Sequence, residues 1–333
     1  MAETETISLD DAHRMIAGAL LAAGVSDASA QSVARALVAA EAEGQVGHGF
    51  SRVADYVAQV RSGKVDGRAE PQFTQIAPAL GEVDAGHGFA FPALDRATTE
   101  AARMSQEQGA GCVAVTRSHH CGALSIQVEK IARTGAVAMM FANAPSAIAP
   151  WGAKTPLYGT NPIAFACPVP NEASLVADLS MSRVARGKIM NAKKKGEAIP
   201  DTWALDRDGN PTTDAEAALQ GSMLPIGGAK GTVLAMIVEI LAAAVTSANL
   251  SPNVSSFFDA DGPPPGTGQL LIAFRPPNAE GFGVRIRTLL EMVLASEGAR
   301  LPGTRRRTAI AASARDGLTV PTAYLDPLRT YLN

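Results

Sequence analysis

Cys112-Val-Ala-Val-Thr116, the loop Ser118-His-His-Cys-Gly122 and the segment from Ala123 to Arg133 decide the fold. Two valines and a threonine in five residues predict a short strand, because β-branched side chains fit a pleated surface. A polar loop closed by glycine follows, and then a helix from Ala123 to Arg133. Strand, loop and helix in direct succession indicate an α/β domain.

The same texture extends on both sides. Upstream, Ile76 to Val83 predicts a strand, Ala85-Gly-His-Gly-Phe89 a turn, and Pro92 to Gln108 a helix. Downstream, strands are expected at Ala136 to Ala142, Ile163 to Cys167, Leu175 to Leu179 and Gln269 to Phe274. After Ser182 come a basic helix (Lys188 to Lys195) and a turn at Asp208-Gly-Asn-Pro211. Gly231 to Ala248 approaches membrane-spanning length, but Glu239 at its centre favours a helix buried in a large soluble core. Asp259 to Gly268, with Pro263, Pro264 and Pro265, reads as a stiff loop, and Phe282 to Ala295 as a last long helix.

The first sixty residues read as helices. Ser8 and Asp11 have capping-box spacing ahead of an apolar stripe through Met15, Ile16, Ala19 and Leu20. A second helix starts at Asp27 or Ser29 with Val33, Leu37, Val38 and Ala40 on one side, and Gly44 ends it. Gln45 to Phe50 then connects to a helix from Ser51 to about Arg61.

Composition narrows the function. The 333 residues are 47% hydrophobic and 18% charged with a net charge of −3, so no basic face is expected for nucleic acid or an anionic membrane. Three cysteines without CxxC spacing argue against a disulfide framework or structural zinc. The start, Met1-Ala-Glu-Thr-Glu-Thr, lacks a signal-peptide core, so the cytoplasm is expected. GxGxxG, Walker A, GxSxG and HExxH motifs are absent, and no metal site is expected, because His119 and His120 are adjacent with no carboxylate at ligand spacing.

Of five histidines, three lie in two glycine-flanked segments, Gly47-His-Gly49 and Ser118 to Gly122. Histidine exchanges protons near neutral pH, and glycine lets backbone approach a ligand closely. His48 falls at a helix junction with Arg52 one turn on, a plausible proton donor and carboxylate-binding pair. Gly159-Thr-Asn-Pro162 makes a tight turn suited to gripping a polar ligand. Gly227-Gly-Ala-Lys-Gly231 opens the long helix with free N–H groups and Lys230, an anion site. Pro302-Gly-Thr-Arg-Arg-Arg307 offers three guanidiniums to phosphate.

In order along the chain, these segments resemble the type 2 malate/L-lactate/L-sulfolactate dehydrogenase family, which includes Δ1-piperideine-2-carboxylate reductases. Gly47-His-Gly-Phe-Ser-Arg52, Ser118-His-His-Cys-Gly122, Pro150-Trp-Gly152, Gly159-Thr-Asn-Pro-Ile-Ala-Phe165, Asp178-Leu-Ser180, Pro225-Ile-Gly-Gly-Ala-Lys-Gly231 and Leu301-Pro-Gly303 carry the likeness. The resemblance implies a non-Rossmann, mixed-sheet α/β nicotinamide-binding fold and a homodimer. Residues 1–70 would form a helical region packing with 300–333, and 71–299 the cofactor- and substrate-binding core. It further implies His48 as proton donor, His120 as a second acid/base, and Arg52 and Thr160 as ligands of a small carboxylate substrate. Cofactor contacts would fall on His120, Cys121, Gly122, Ala123, Leu124, Asp178, Leu179, Ser180, Ala229, Lys230, Arg305 and Arg306.

The chain departs from the family pattern at three places. Gly47 stands where the family has a serine that orients the first histidine, and Ala229 where it often has histidine. Lys188 stands where the imine reductases carry an aspartate of the catalytic relay. A lysine there favours dianionic 2-oxo acids over a protonated imine by charge attraction. The expected reaction is hydride transfer between NAD(P)(H) and a small 2-hydroxy/2-oxo acid pair of the malate, lactate or sulfolactate type; reduction of Δ1-piperideine- or Δ1-pyrroline-2-carboxylate is the alternative. The arginine cluster favours NADP over NAD, since guanidinium binds a phosphate bidentately.

Overall fold

The computed structural model describes residues 3–331; Met1 and Ala2 of the acidic start, and Leu332 and Asn333 of the closing segment, lie outside the described residues. The chain opens with strand β1 (Thr4–Ile7), α1 (Leu9–Ala22) and α2 (Asp27–Ala42). Ser8 caps α1: its hydroxyl accepts the Asp11 N–H at 3.0 Å and donates to the Asp11 carboxylate at 2.6 Å. Met15, Ile16, Ala19 and Leu20 are buried, as their spacing predicts. Gly44, at φ +78°, takes the chain out of α2. Two tight turns, Val46–His48 and Phe50–Arg52, then lead into α3 (Val53–Arg61).

Residues expected as one strand at Ile76 to Val83 instead span a hairpin, β2 (Gln72–Ala77) and β3 (Leu80–Asp84). Pro78 cannot donate to a ladder and sits in the turn. There follow α4 (Ala90–Gln108), β4 (Ala110–Ser118), α5 (Ser125–Ala132), β5 (Val137–Ala142), β6 (Ile163–Cys167) and β7 (Leu175–Leu179). Next come α6 (Arg186–Lys195), β8 (Ala204–Leu205), α7 (Ala215–Gln220), β9 (Ser222–Met223) and α8 (Ala229–Glu239), which continues through a wider π turn (Ile240–Ala244). The last elements are β10 (Thr267–Phe274), α9 (Ala279–Ala295), α10 (Thr304–Asp316), β11 (Leu318–Pro321) and α11 (Thr322–Arg329).

Seven strands form one sheet in the order β2-β3-β4-β10-β5-β6-β7. Only β3 and β4 run parallel, so the sheet is mixed and unlike the parallel sheet of a Rossmann fold. Strand β10 lies at its centre, with Leu271 opposite Val113 on one side and Met140 on the other. Alternation along β4 sends Val113 and Val115 into a core with α4 and α5, and Ala114 into a second core containing Met181, Ile189 and Val238. Each fully buried Leu or Met there stabilises the fold by about 1.5–3 kcal/mol.

A third core joins the two chain ends. Ile16, Leu20, Leu37 and Tyr56 pack with Val320, Leu325 and Leu328, while β1 pairs with β11 in a separate two-stranded ribbon. Phe89 and Phe91, at the start of α4, belong to this core and couple it to the sheet.

Helix α8 is not the buried helix its composition predicts. Ala235 and Val238 are buried, but Val233, Leu234, Met236, Ile237, Ile240 and Val245 are 40–55% exposed along it and its continuation. Val284, Leu289, Met292 and Leu294 of α9 are more than half exposed. Among the described residues no helix is long and apolar enough to cross a membrane.

Candidate active site

The turns before α3 are shaped by a buried acid. Glu41 accepts the Phe50 N–H at 2.9 Å, and a Cβ at Gly49 would lie 1.9 Å from that same carboxylate oxygen, so only glycine fits. The backbone thus packs tightly where His48 and Arg52 leave it. Arg52 Nε donates to the Gly47 carbonyl at 2.7 Å, folding the guanidinium back toward the turn that bears His48. Arg52 is only 8% exposed, its guanidinium carbon lies 4.3 Å over the centre of the Phe258 ring, and its Asp55 contact is long at 3.8 Å. A large part of its fork remains available to a carboxylate.

The loop after β4 brings the second cluster to the first. The His48 and His120 rings stack with centroids 5.2 Å apart and planes inclined by 22°. Tyr56 O–H lies 2.6 Å from His120 Nδ1. Burial raises the Tyr56 pKa, so the phenol keeps its proton and donates it. The hydrogen-bond network therefore assigns the His120 ring hydrogen to Nε2. His119 has a different setting: it is 1% exposed, its Nε2 pairs with Gln59 Oε1 at 2.8 Å, and Thr267 donates to its carbonyl at 2.9 Å.

Burial, then the Arg52 charge, lowers the His48 pKa to about 4 and puts that of His120 well below its ordinary value. Burial, then Lys64 and Arg52, lowers His119 to about 3. All three imidazoles are neutral at pH 7. The buried Nδ1 of His48 has no hydrogen-bond partner among the described residues.

Thr160 sits in a turn held from α8. Asn161, fully buried at φ +39°, donates to the Ala235 carbonyl at 2.9 Å and to Glu239 at 2.8 Å. Ser251 donates to Glu239 through both its N–H and its hydroxyl, each at 2.6 Å, and its oxygen accepts the Gly159 N–H at 3.0 Å. Glu239 thus braces this turn. The Thr160 carbonyl accepts the Met181 N–H at 2.8 Å and the Ser180 hydroxyl at 3.3 Å, placing Thr160 beside Asp178 to Ser180.

The expected cofactor residues divide into two groups. Cys121, Ala123 and Leu124 are buried, and Gly122 takes φ +64°. Asp178 accepts the Ser125 N–H at 2.9 Å; burial, reinforced by the Glu43 charge, pushes its pKa up to about 6. Glu43 in turn accepts the Ser125 hydroxyl at 2.7 Å and ion-pairs with Arg306 at 2.5 Å. Arg306 also pairs with Glu129 at 2.6 Å. Its guanidinium, read in the sequence as a phosphate partner, is therefore committed to two carboxylates. Arg305, Ala229 and Lys230 are exposed, as is Lys188 on the first turn of α6. Among the described residues neither Lys188, Lys230 nor Arg305 ion-pairs with a carboxylate, and nothing joins Lys188 to His48 or Arg52.

A nicotinamide dinucleotide needs an apolar slot and unpaired donors for its phosphates. Leu179 is 45% exposed, and Gly228, at φ +63°, lies against the exposed Trp151 at the start of α8. With unpaired Lys230 and Arg305, these residues suit such a group. Among the described residues no three His, Cys, Asp or Glu side chains gather as a metal site. Tyr56, Gln59 and Phe258 escaped the sequence reading, and Glu239 was noted there only as a charge in an apolar run, because each acts through a partner elsewhere along the chain.

Comparison with known proteins supplies the family. The chain is 48% identical over 326 residues to a (2R)-3-sulfolactate dehydrogenase (NADP(+)) of Chromohalobacter salexigens, covering 98% of this chain and 97% of that protein. It is 37% identical over 336 residues to a Δ(1)-pyrroline-2-carboxylate reductase of Pseudomonas fluorescens, covering the whole of both. The crystal structure of Δ1-piperideine-2-carboxylate reductase from Pseudomonas syringae pvar. tomato superposes with a TM-score of 0.92 at 35% identity, over 98% of this chain and 100% of that one. The malate/L-lactate dehydrogenase family model matches residues 7–329. A mixed sheet without a dinucleotide glycine motif, two imidazoles meeting beside a buried guanidinium, and these likenesses lead to one conclusion: the chain belongs to the malate/L-lactate dehydrogenase family of oxidoreductases.

Proposed function

We propose that this enzyme transfers hydride between NADP(H) and a small 2-hydroxy acid/2-oxo acid pair, with sulfolactate and sulfopyruvate the first pair to test. The observation that carries this reading is the stacked His48–His120 pair beside a buried, incompletely paired Arg52. The reduced pyridine ring supplies the hydride that reaches C2. Arg52 holds the carboxylate, and Thr160 borders the same substrate. His48 passes a proton to the carbonyl oxygen, while Tyr56 fixes His120 with its Nε2–H as a second donor. In the free protein burial, and then the Arg52 charge, keep His48 neutral; a carboxylate on Arg52 offsets the second of these and raises the affinity of His48 for the proton it must deliver.

Lys230 and Arg305 are the exposed cations that would hold the cofactor phosphates, and Asp178, Leu179, Ser180 and the loop from His120 to Leu124 would border the nicotinamide. Lys188 acts at a distance, as a charge that favours dianionic substrates. The exposed apolar residues of α8 and α9 support a homodimer, since a monomer rarely leaves so many on two helices. Free cysteines at 112, 121 and 167 suit a reducing cytoplasm.

The imine reductases at 37% identity favour a second reading, reduction of Δ1-pyrroline- or Δ1-piperideine-2-carboxylate. NADPH oxidation measured with sulfopyruvate, oxaloacetate, pyruvate and both imines separates the two. Turnover of the oxo acids alone is expected; turnover of the imines alone reverses the assignment.

A further inference from the structure

Arg52 carries its charge into a nearly buried position, and a buried cation is costly unless something close by offsets it. Its Nε donates to the Gly47 carbonyl, and Asp55 stands off at 3.8 Å, beyond hydrogen-bond length. A ring supplies the third contact, with the guanidinium carbon 4.3 Å over the centre of Phe258. The face of an aromatic ring is electronegative, so it attracts a cation without taking up any of its N–H donors. A carboxylate in the same place would also offset the charge, but it would occupy the fork that the oxo acid must enter.

The loop that bears Phe258 is tied down on both sides of it. Lys64 is 2% exposed, and its ammonium donates to the carbonyls of Ser256, Asp259 and Asp261 at 2.8, 3.1 and 2.8 Å. Gln59 donates to the Asp259 carbonyl at 2.9 Å, and Ser62 to that of Ala260 at 2.9 Å. The neighbouring Phe257 is buried, with its ring 5.1 Å from that of His120. These contacts fix the backbone from which the Phe258 ring meets Arg52, whereas the ring itself is only half-buried.

We propose that Phe258 is a positioning residue for the substrate carboxylate: its ring steadies the Arg52 guanidinium and offsets its charge while leaving the fork free. The proposal rests on Arg52 as the carboxylate ligand. It concerns the end of the molecule that sulfopyruvate, oxaloacetate and pyruvate share, so Phe258 governs affinity for all of them and does not select among them.

The test measures kcat and KM at saturating NADPH, for each 2-oxo acid or imine that the wild type reduces, in the wild type, Phe258→Leu and Phe258→Tyr. Phe258→Leu stays apolar but loses the ring, and should raise every such KM about tenfold with kcat within about twofold. Phe258→Tyr keeps the ring and should hold KM within about twofold of the wild type, a rescue that general damage to the fold would not show. Should Phe258→Leu fail to fold, Phe258→Met takes its place. An unchanged KM in Phe258→Leu, or an equal rise in Phe258→Tyr, overturns the role of Phe258 and leaves that of Arg52 standing. An unchanged KM in Arg52→Lys as well, or a wild type that reduces neither 2-oxo acids nor imines, overturns both.

Discussion

The two halves of the proposed site are built in opposite ways. Around His48, Arg52, Tyr56 and His120, polar groups are buried, partnered by long-range contacts and shifted far from their ordinary proton affinities. Around Leu179, Ala229, Lys230 and Arg305, the groups are exposed and largely unpaired. Proton transfer requires positions fixed before the substrate arrives, whereas phosphate binding requires only cations and N–H groups that a ligand can reach. Substitutions in the first half should therefore change the chemistry or the hold on the oxo acid, and those in the second the affinity for the cofactor.

The largest effect is expected at His48. His48→Gln should lower kcat about a thousandfold, in line with the loss of a positioned acid, while NADPH binding measured by fluorescence stays within twofold. Equal losses in both would erase the division between the halves. Arg52→Lys keeps the charge but loses the planar fork, and should lower kcat/KM about a hundredfold, largely through KM for the oxo acid.

Acid stability probes the buried half directly. Unfolded, His119 takes a proton near pH 6.5; folded, only near pH 3. Between those values the unfolded chain binds more protons, so stability falls as pH falls, by on the order of 2 kcal/mol at pH 5 from this residue. His48 acts in the same direction. Asp178, raised from 3.8 to about 6, acts in the opposite one, since the folded state holds its proton in that interval. Melting temperature should drop between pH 7 and 5, and His119→Gln should flatten the drop; an unchanged slope in that variant would remove His119 from the account.

In the open half, Lys230→Ala should raise KM for NADPH about tenfold at low salt and less at high salt, as screening weakens an exposed ion pair. The smallest effect is expected at Gly47, where a side chain would meet open space. Gly47→Ser offers a hydroxyl to the unpartnered His48 Nδ1 and should raise its pKa, moving the pH profile for reduction toward alkaline values with a gain of a few-fold at pH 7. A profile that does not move would show that the serine of other family members does something else.

Much of this was legible in the sequence wherever the signal was local. The cap at Ser8, the strand from Ile163 to Cys167 and the stop at Gly44 follow from neighbouring residues, and the structure shows them there. The β1–β11 ribbon was invisible, because Thr-Glu-Thr-Ile and Leu-Thr-Val-Pro carry no pattern until they meet. Helix α10 was read only as an arginine cluster open to phosphate, since Arg306 finds its acids far along the chain, on α5 and just past the end of α2. The long apolar run misled in another way: periodicity identifies a helix, but not whether its apolar side meets this chain or another. At the site, glycine flanks marked both histidine clusters, whereas their contact depends on β4 delivering its loop to the turns before α3.

The pairing of β1 with β11 sets a timetable for biosynthesis. Thr6 and Thr319 face each other across a sequence separation of 313 residues. At roughly 5–20 residues per second, a ribosome needs tens of seconds to supply the second strand after the first has emerged. Until then the layer bearing His48 lacks Val320, Leu325 and Leu328 from its core. Catalytic competence thus waits for β11 and α11 to be made, and chains terminated before them are left with an open hydrophobic seam for chaperones and proteases to find.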